Sequence, residues 1–239
     1  AEEAAAPVPK KVLVGGATGQ ELAAEQILRK GNGTEPETLD PHRAEGVTAS
    51  NVLRDLFEGL VTEAADGALI PGAAESWTIS EDGRVYTFRL RANGRWSNGD
   101  PVVAEDFAFG LRRSADPATL SEYSAILYPI DNAEAVVNGQ LPPETLGVRA
   151  IDERTLEIRL HSPTPYLLGL LTHSSTYPVH RASVEKFGDK FARPGNLVSN
   201  GAYRLSDWKV QSHIQLVRNP YYWENDKTTI NEVWYYPVE

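Results

Sequence analysis

The stretch "YTFRLRANGRWSNGDPVVAEDF" (residues 86–107) sets a strand against a helix across one tight reversal. Tyr86, Phe88 and Leu90 alternate with Val85, Thr87 and Arg89, the period of two that buries one face of a strand. "SNGDP" reverses the chain after Trp96, with Gly99 free to take a positive φ. Beyond it, "AEDFAFGLRRS" puts Ala104, Phe107, Ala108 and Leu111 on one helical face. Glu105 and Asp106 stand at the positive end of that helix, and Arg112 and Arg113 at the negative end, as the macrodipole favours. These acids read as cap and dipole residues. The stretch holds no nucleophile, histidine base or metal cluster.

Outward from there the pattern stays mixed. "SNVLRDLFEGLVTEAADG" spaces Val52, Leu53, Leu56, Leu60 and Val61 as a buried helical face, with Ser50 or Asn51 as N-cap and Gly67 beyond the end. A hairpin is expected over 147–160, with Leu156, Ile158 and Leu160 inward, and a helix from "SPTPYLLGLL" with Ser162 as cap and Pro163 in its first turn. "AYRLSDWKV" and "HIQLVRN" read as strands joined near Gln211–Ser212, and "INEVWYYPVE" as another. The tryptophans at 77, 96, 208, 223 and 234 are expected mostly in the core, while "NPYYW" can offer aromatic surface to a ligand. The fold class is mixed α/β (α+β), with antiparallel hairpins and helices between them. Residues 183–239 should share a sheet with 26–40, while 58–182 form a separate lobule.

Composition excludes several classes. The 239 residues are 41% hydrophobic, enough for a real core, and the formal net charge of -10 argues against nucleic acid, which needs clustered Lys and Arg. Without cysteine there is no disulfide and no thiolate nucleophile. No apolar run approaches the ~20 residues of a membrane span. His42, His161, His173, His180 and His213 show no HxxxH or HExxH spacing, and Ser174 and Ser175 beside His173 lack a GxSxG elbow. The start "AEEAAAPVP" matches what signal-peptide cleavage or trimming would leave.

A rival reading rests on "KVLVGGATGQELAAEQILRKG" (11–31), which imitates the strand, glycine loop and helix of a dinucleotide site. It makes an NAD(P)-binding oxidoreductase, built on residues 14–22, the alternative function. The third glycine of the pattern would fall at Leu22 and is missing. The segment otherwise reads as a glycine-rich leader followed by a short helix over 21–26 or a strand "QILRKG".

Longer runs carry a resemblance. "GTEPETLDPHRAEGVTASNVLRDLFEGL", "PGAAESWTISEDGRVYTFRLRANGRWSNGDPVVAEDFAFGLRR" and "LVSNGAYRLSDWKVQSHIQLVRNPYYW" occur in an order and spacing that resemble the extracytoplasmic solute-binding proteins of peptide-importing ABC transporters, family 5, and most closely their oligopeptide-binding members. The likeness covers about 26–239. It implies a two-lobed, hinge-closing receptor that traps an extended oligopeptide and delivers it to an inner-membrane permease. Such a protein is exported to the periplasm, is a monomer, and has no cofactor and no catalytic role. It further implies a discontinuous first lobe (1–57 plus 183–239), an inserted accessory domain (58–182) and a second lobe lying outside these 239 residues. The resemblance places Glu45, Gly46 and Val47 alongside the peptide as a strand-like partner, and Tyr123, in "DPATLSEYS", in the cleft. Read from the residues alone, Glu45 can equally be an exposed loop acid and Tyr123 a half-buried packing residue. One departure is Val103, where the family commonly caps the helix with Thr, at a cost of ~1 kcal/mol.

Overall fold

The computed structural model describes residues 22–238. Its first half contains β1 (Ile27–Gly31), α1 (Gly46–Leu56), β2 (Val61–Glu63), β3 (Leu69–Pro71), β4 (Ala74–Ile79), β5 (Val85–Leu90) and α2 (Ala104–Ala115). Then come α3 (Ala133–Val137), β6 (Val148–Asp152), β7 (Thr155–Arg159), α4 (Leu167–Leu170), α5 (Arg181–Phe187), β8 (Tyr203–Lys209), β9 (His213–Arg218) and β10 (Glu232–Tyr236).

Two four-stranded sheets organise the chain. One runs β1-β10-β9-β8, so the segment at 27–31 pairs in parallel with the last strand, Ile27 opposite Glu232, while the other neighbours are antiparallel. The other is wholly antiparallel, β4-β5-β7-β6. Their cores follow the expected alternation. Tyr86, Phe88 and Leu90, with Leu156, Ile158 and Leu160, are buried, and so are Phe107, Ala108 and Leu111 of α2, which packs against β6 and β7. On the first sheet the Tyr235 hydroxyl reaches α1, donating to the Asn51 carbonyl at 3.0 Å.

The stretch 86–107 turns out to be a docking element. Asp106 Oδ2 accepts the Val103 N–H at 2.8 Å and the Trp96 indole N–H at 3.0 Å, tying the helix start to the strand end. The turn then meets the returning chain. Ser97 N–H donates to the Ser199 carbonyl at 2.8 Å, and Asp100 contacts His180 Nε2 at 2.9 Å. Gly99, at φ +93, lies over the Tyr221 ring.

Four readings need correction. Helix α1 spans Gly46–Leu56, not the segment after Ser50, and Leu60 and Val61 lie outside it. Its end is set by packing: Phe57 is extended, and at Gly59 a Cβ would lie 2.7 Å from the Leu171 carbonyl oxygen. The helix expected from Ser162 is only the single turn α4, with Tyr166 at its N-cap. Pro163 and Pro165 disfavour the helical region for the residues before them, which delays the start. Residues 22–26 form no helix, so the strand reading of "QILRKG" is the right one; residues 14–21 lie outside the described residues. Lastly, of the five tryptophans only Trp96 is fully buried. Trp208, Trp223 and Trp234 sit at the margin, where their indole N–H groups reach Glu35, Glu58 and Glu232.

Val103 supplies no side-chain cap to α2, so only the Asp106 half of a capping box exists. Val103→Thr adds the missing acceptor. It should raise stability by ~1 kcal/mol, read as a higher urea midpoint at unchanged slope.

Candidate functional site

The site is built outward from a turn. Asp40 opens it, with Ala44 N–H donating to the Asp40 carbonyl at 2.8 Å and His42 N–H to Asp40 Oδ1 at 3.0 Å. Arg113, in the last turn of α2, grips the same carboxylate with both ends of its fork, at 2.9 and 2.6 Å. Its Nη1 also lies 2.8 Å from His42 Nδ1. A guanidinium only donates, so His42 Nδ1 accepts and the proton sits on Nε2, which donates to the Tyr177 carbonyl at 2.8 Å. Burial works against the Asp40 charge, but the Arg113 fork outweighs it and holds the carboxyl below its ordinary value. Burial first, and then the neighbouring Arg113 charge, depress His42 to about 4. The imidazole is neutral at pH 7.

This clamped turn presents the predicted strip. Glu45 is extended (φ -122, ψ 152) and its side chain makes no capping bond to α1. Gly46 takes φ +76, with nothing within 4 Å of where a Cβ would stand. Val47 is 74% exposed. The expected three-residue strand is therefore reduced to one extended residue: Gly46 is left-handed and Val47 already belongs to the first turn of α1.

Tyr123 lies elsewhere in sequence but on the same packed unit. It is 37% exposed, and its ring meets His173 edge-on at 4.9 Å. His173 Nδ1 accepts the Ser175 N–H at 3.2 Å, and burial, then Arg54, lower its pKa, so this ring too is neutral. The 3-10 turn Ser174–Thr176 packs against α1, α2 and the turn Ser124–Leu127 that follows Tyr123. The clamped turn is tied toward Tyr123 in steps: His42 donates to the Tyr177 carbonyl at 2.8 Å, Tyr177 N–H donates to the Ser174 carbonyl at 3.0 Å, and His173, the residue before Ser174, meets the Tyr123 ring.

Sequence reading missed Asp40, His42, Arg113, His173 and Tyr177. In the sequence the histidines suggest at most zinc ligation, or for His173 a serine partner; among the described residues no three His, Asp or Glu are placed to hold a metal ion. "NPYYW" offers less free aromatic surface than expected, because Tyr222 and Trp223 turn inward to Glu58.

The profile of the bacterial extracellular solute-binding proteins, family 5 (Middle), matches residues 68–239. The periplasmic oligopeptide-binding protein OppA of Escherichia coli (strain K12) is 49% identical over 222 residues, 92% of this chain and 41% of the relative. The periplasmic murein peptide-binding protein MppA of the same organism is 41% identical over 223 residues, again 92% and 41% of the two chains. A crystal structure of Haemophilus influenzae OppA in complex with RPPGFSPFR superposes with a TM-score of 0.89 at 42% identity, covering 92% of this chain and 43% of that one. The chain thus spans about two fifths of the length of these relatives. Nothing in the relatives or in residues 22–31 supports the dinucleotide reading.

The cluster at Asp40 makes stability pH-dependent. Between His42's folded value of about 4 and its ordinary 6.5, the unfolded chain binds the proton and the folded chain does not. Its contribution is therefore present above pH 6.5 and is lost as pH falls toward 4. The loss should reach ~3 kcal/mol, read as the difference between wild type and His42→Gln in urea unfolding across that window. Arg113→Met, which leaves Asp40 buried and unpaired, should cost ~3–5 kcal/mol at pH 7; a cost below ~1 kcal/mol would show that the clamp does not hold the turn.

Proposed function

The chain belongs to family 5 of the bacterial extracellular solute-binding proteins, and on that footing we propose that it is the peptide-capturing part of a periplasmic receptor that delivers oligopeptides to an ABC permease in the inner membrane. The observation that carries this reading is the exposed strip at Glu45 to Val47 beside the Arg113–Asp40 clamp, with Tyr123 on the turn that packs against the 174–176 segment to which the clamp is tied through Tyr177. It sets a backbone edge and an aromatic side chain on one rigid support. Open backbone at Glu45 and Gly46 offers main-chain hydrogen bonds, which give affinity without reading side chains. Tyr123 adds contact area at low entropic cost, with its ring orientation limited by His173. The relatives named for oligopeptides and murein peptides, and the one crystallised with a nonapeptide, support this ligand class.

We assign residues 1–57 and 183–239 to a discontinuous first lobe and 58–182 to an accessory domain. In support, β1 shares a sheet with β8–β10, whereas β4–β7 form a sheet of their own. In this reading the protein is a binding protein and not an enzyme, acts as a monomer and uses no cofactor. Among the described residues no helix is long and apolar enough to cross a membrane.

Two measurements test it. In a version carrying a second lobe, Tyr123→Ala should weaken oligopeptide binding by ~1–2 kcal/mol in calorimetry; unchanged affinity with the fold intact returns Tyr123 to packing. The 239 residues alone should bind tri- to pentapeptides only at millimolar level. Ordering each peptide residue costs ~1–2 kcal/mol of backbone entropy, and one lobe leaves half the backbone and both termini in water. Micromolar binding by the isolated chain would show that closure contributes little.

A further inference from the structure

Glu58 follows α1 at the point where the chain passes into the accessory segment, and all four hydrogen bonds it makes with side chains reach the returning segment. Its N–H donates to Asn200 Oδ1 at 3.0 Å, and its carbonyl accepts from Asn200 Nδ2 at 2.9 Å. Its carboxylate accepts from the Tyr222 hydroxyl at 2.6 Å through Oε1 and from Trp223 Nε1 at 2.8 Å through Oε2. The side chain is buried, yet it lines an open hollow of ≈ 310 Å³ shared with Arg54, Ile70 and Ala202, which gives protons and water a route to it.

The charged and titratable groups around it are few. Arg54 comes from α1; Arg91, just after β5, stacks over Trp223 at 3.5 Å while donating to the Gly72 carbonyl; and Arg95, which lines a small cavity with Glu58, donates to the Gly99 carbonyl at 3.0 Å. Tyr177 approaches from the segment after the 174–176 turn, and Glu224 from beyond Trp223. None of these cations lies within ion-pairing distance of Glu58, so its two direct side-chain partners are neutral donors.

We propose that Glu58 is a proton-operated latch on the 219–224 turn. The chemistry follows from the partners. Trp223 Nε1–H can only donate, so Oε2 must remain an acceptor in either state. A proton arriving at the carboxylate therefore settles on Oε1, facing Tyr222. The Tyr222 hydroxyl then accepts from Glu58 instead of donating to it, and its own O–H swings into the hollow. Protonation thus reverses one hydrogen bond and leaves the other in place, releasing Tyr222 as a donor while Trp223 stays tied. Burial, only partly offset by the Tyr222 and Trp223 bonds, pushes the carboxyl up to about 7, within reach of ordinary extracytoplasmic conditions. Glutamine has one acceptor and one donor end. In Glu58→Gln the oxygen must face Trp223 and the amide Tyr222, so that variant copies the protonated arrangement.

The test follows the Trp223 indole N–H resonance of the 239-residue chain from pH 5 to 8.5. Wild type should show one inflection near 7. Glu58→Gln should be flat and sit at the acid-limb position of wild type. A flat wild-type curve, or an inflection that survives in Glu58→Gln, overturns the proposal. Should Glu58→Gln fail to fold, Tyr222→Phe decides: losing a donor to the charged form should move the midpoint upward, and an unmoved midpoint overturns the latch.

Discussion

One guanidinium organises the candidate site. Arg113 has three acceptor atoms within hydrogen-bonding distance, two on Asp40 and one on His42, and all belong to a turn 71 to 73 residues earlier in the chain. A buried ion pair of this kind adds little net stability compared with apolar residues of the same volume. Its effect here is geometric. The fork fixes the Asp40 carboxylate, which in turn accepts the His42 N–H and shapes the turn. By occupying Nδ1 the same guanidinium selects the His42 tautomer, and that tautomer supplies the bond to Tyr177. The exposed strip at Glu45 continues directly from this turn, and the Tyr177 bond ties the turn to the 174–176 segment that follows His173.

A second set of constraints comes from backbone lying on backbone. A Cβ on Gly201 would stand 2.6 Å from the Leu56 carbonyl carbon, and one on Gly72 would stand 2.6 Å from the Gly59 carbonyl oxygen. These glycines let the end of α1, the β2–β3 hairpin and the returning chain approach closely enough for Asn200 to pair with both backbone groups of Glu58. Polar docking and close approach therefore meet at one place.

The pattern of legibility follows from the range of the forces. The strand at 85–90, the helix at 104–115 and the hairpin at 148–159 were readable because one-sided burial writes its period directly into the sequence. Helix α1 starts five or six residues earlier than expected because Gly46 and Val47 carry no N-terminal signal, and its end depends on contact with Leu171. That 26–40 and 183–239 share a sheet was expected from the shortage of strands in either segment, but not that β1 pairs with β10 in parallel. Resemblance nominated Glu45 to Val47 and Tyr123, but no sequence signal pointed to the polar support around them. Nothing local in "LDPHR" shows that Asp40 and His42 face an arginine in a helix of the other sheet. Long-range polar pairing leaves no periodic trace.

His42 and Glu58 are two buried titratable residues on the same seam, and their effects on stability have opposite signs. His42 is depressed to about 4, so acidification from 6.5 to 4 favours the unfolded chain, which takes the proton first. Glu58 is raised from 4.5 to about 7, so over that window the folded chain binds the proton more tightly and stability declines as pH rises. Each displacement amounts to ~3 kcal/mol, and the windows overlap between about 4.5 and 6.5. Within the overlap the two contributions have opposite slopes and offset one another, while Asp55 and Asp106, raised by burial, and Asp40, lowered by Arg113, add contributions of their own. Local geometry is not levelled in the same way, since protonating Glu58 reorients Tyr222 whatever His42 does. Protonation at Glu58 thus changes a hydrogen bond over a range where its effect on stability opposes that of His42.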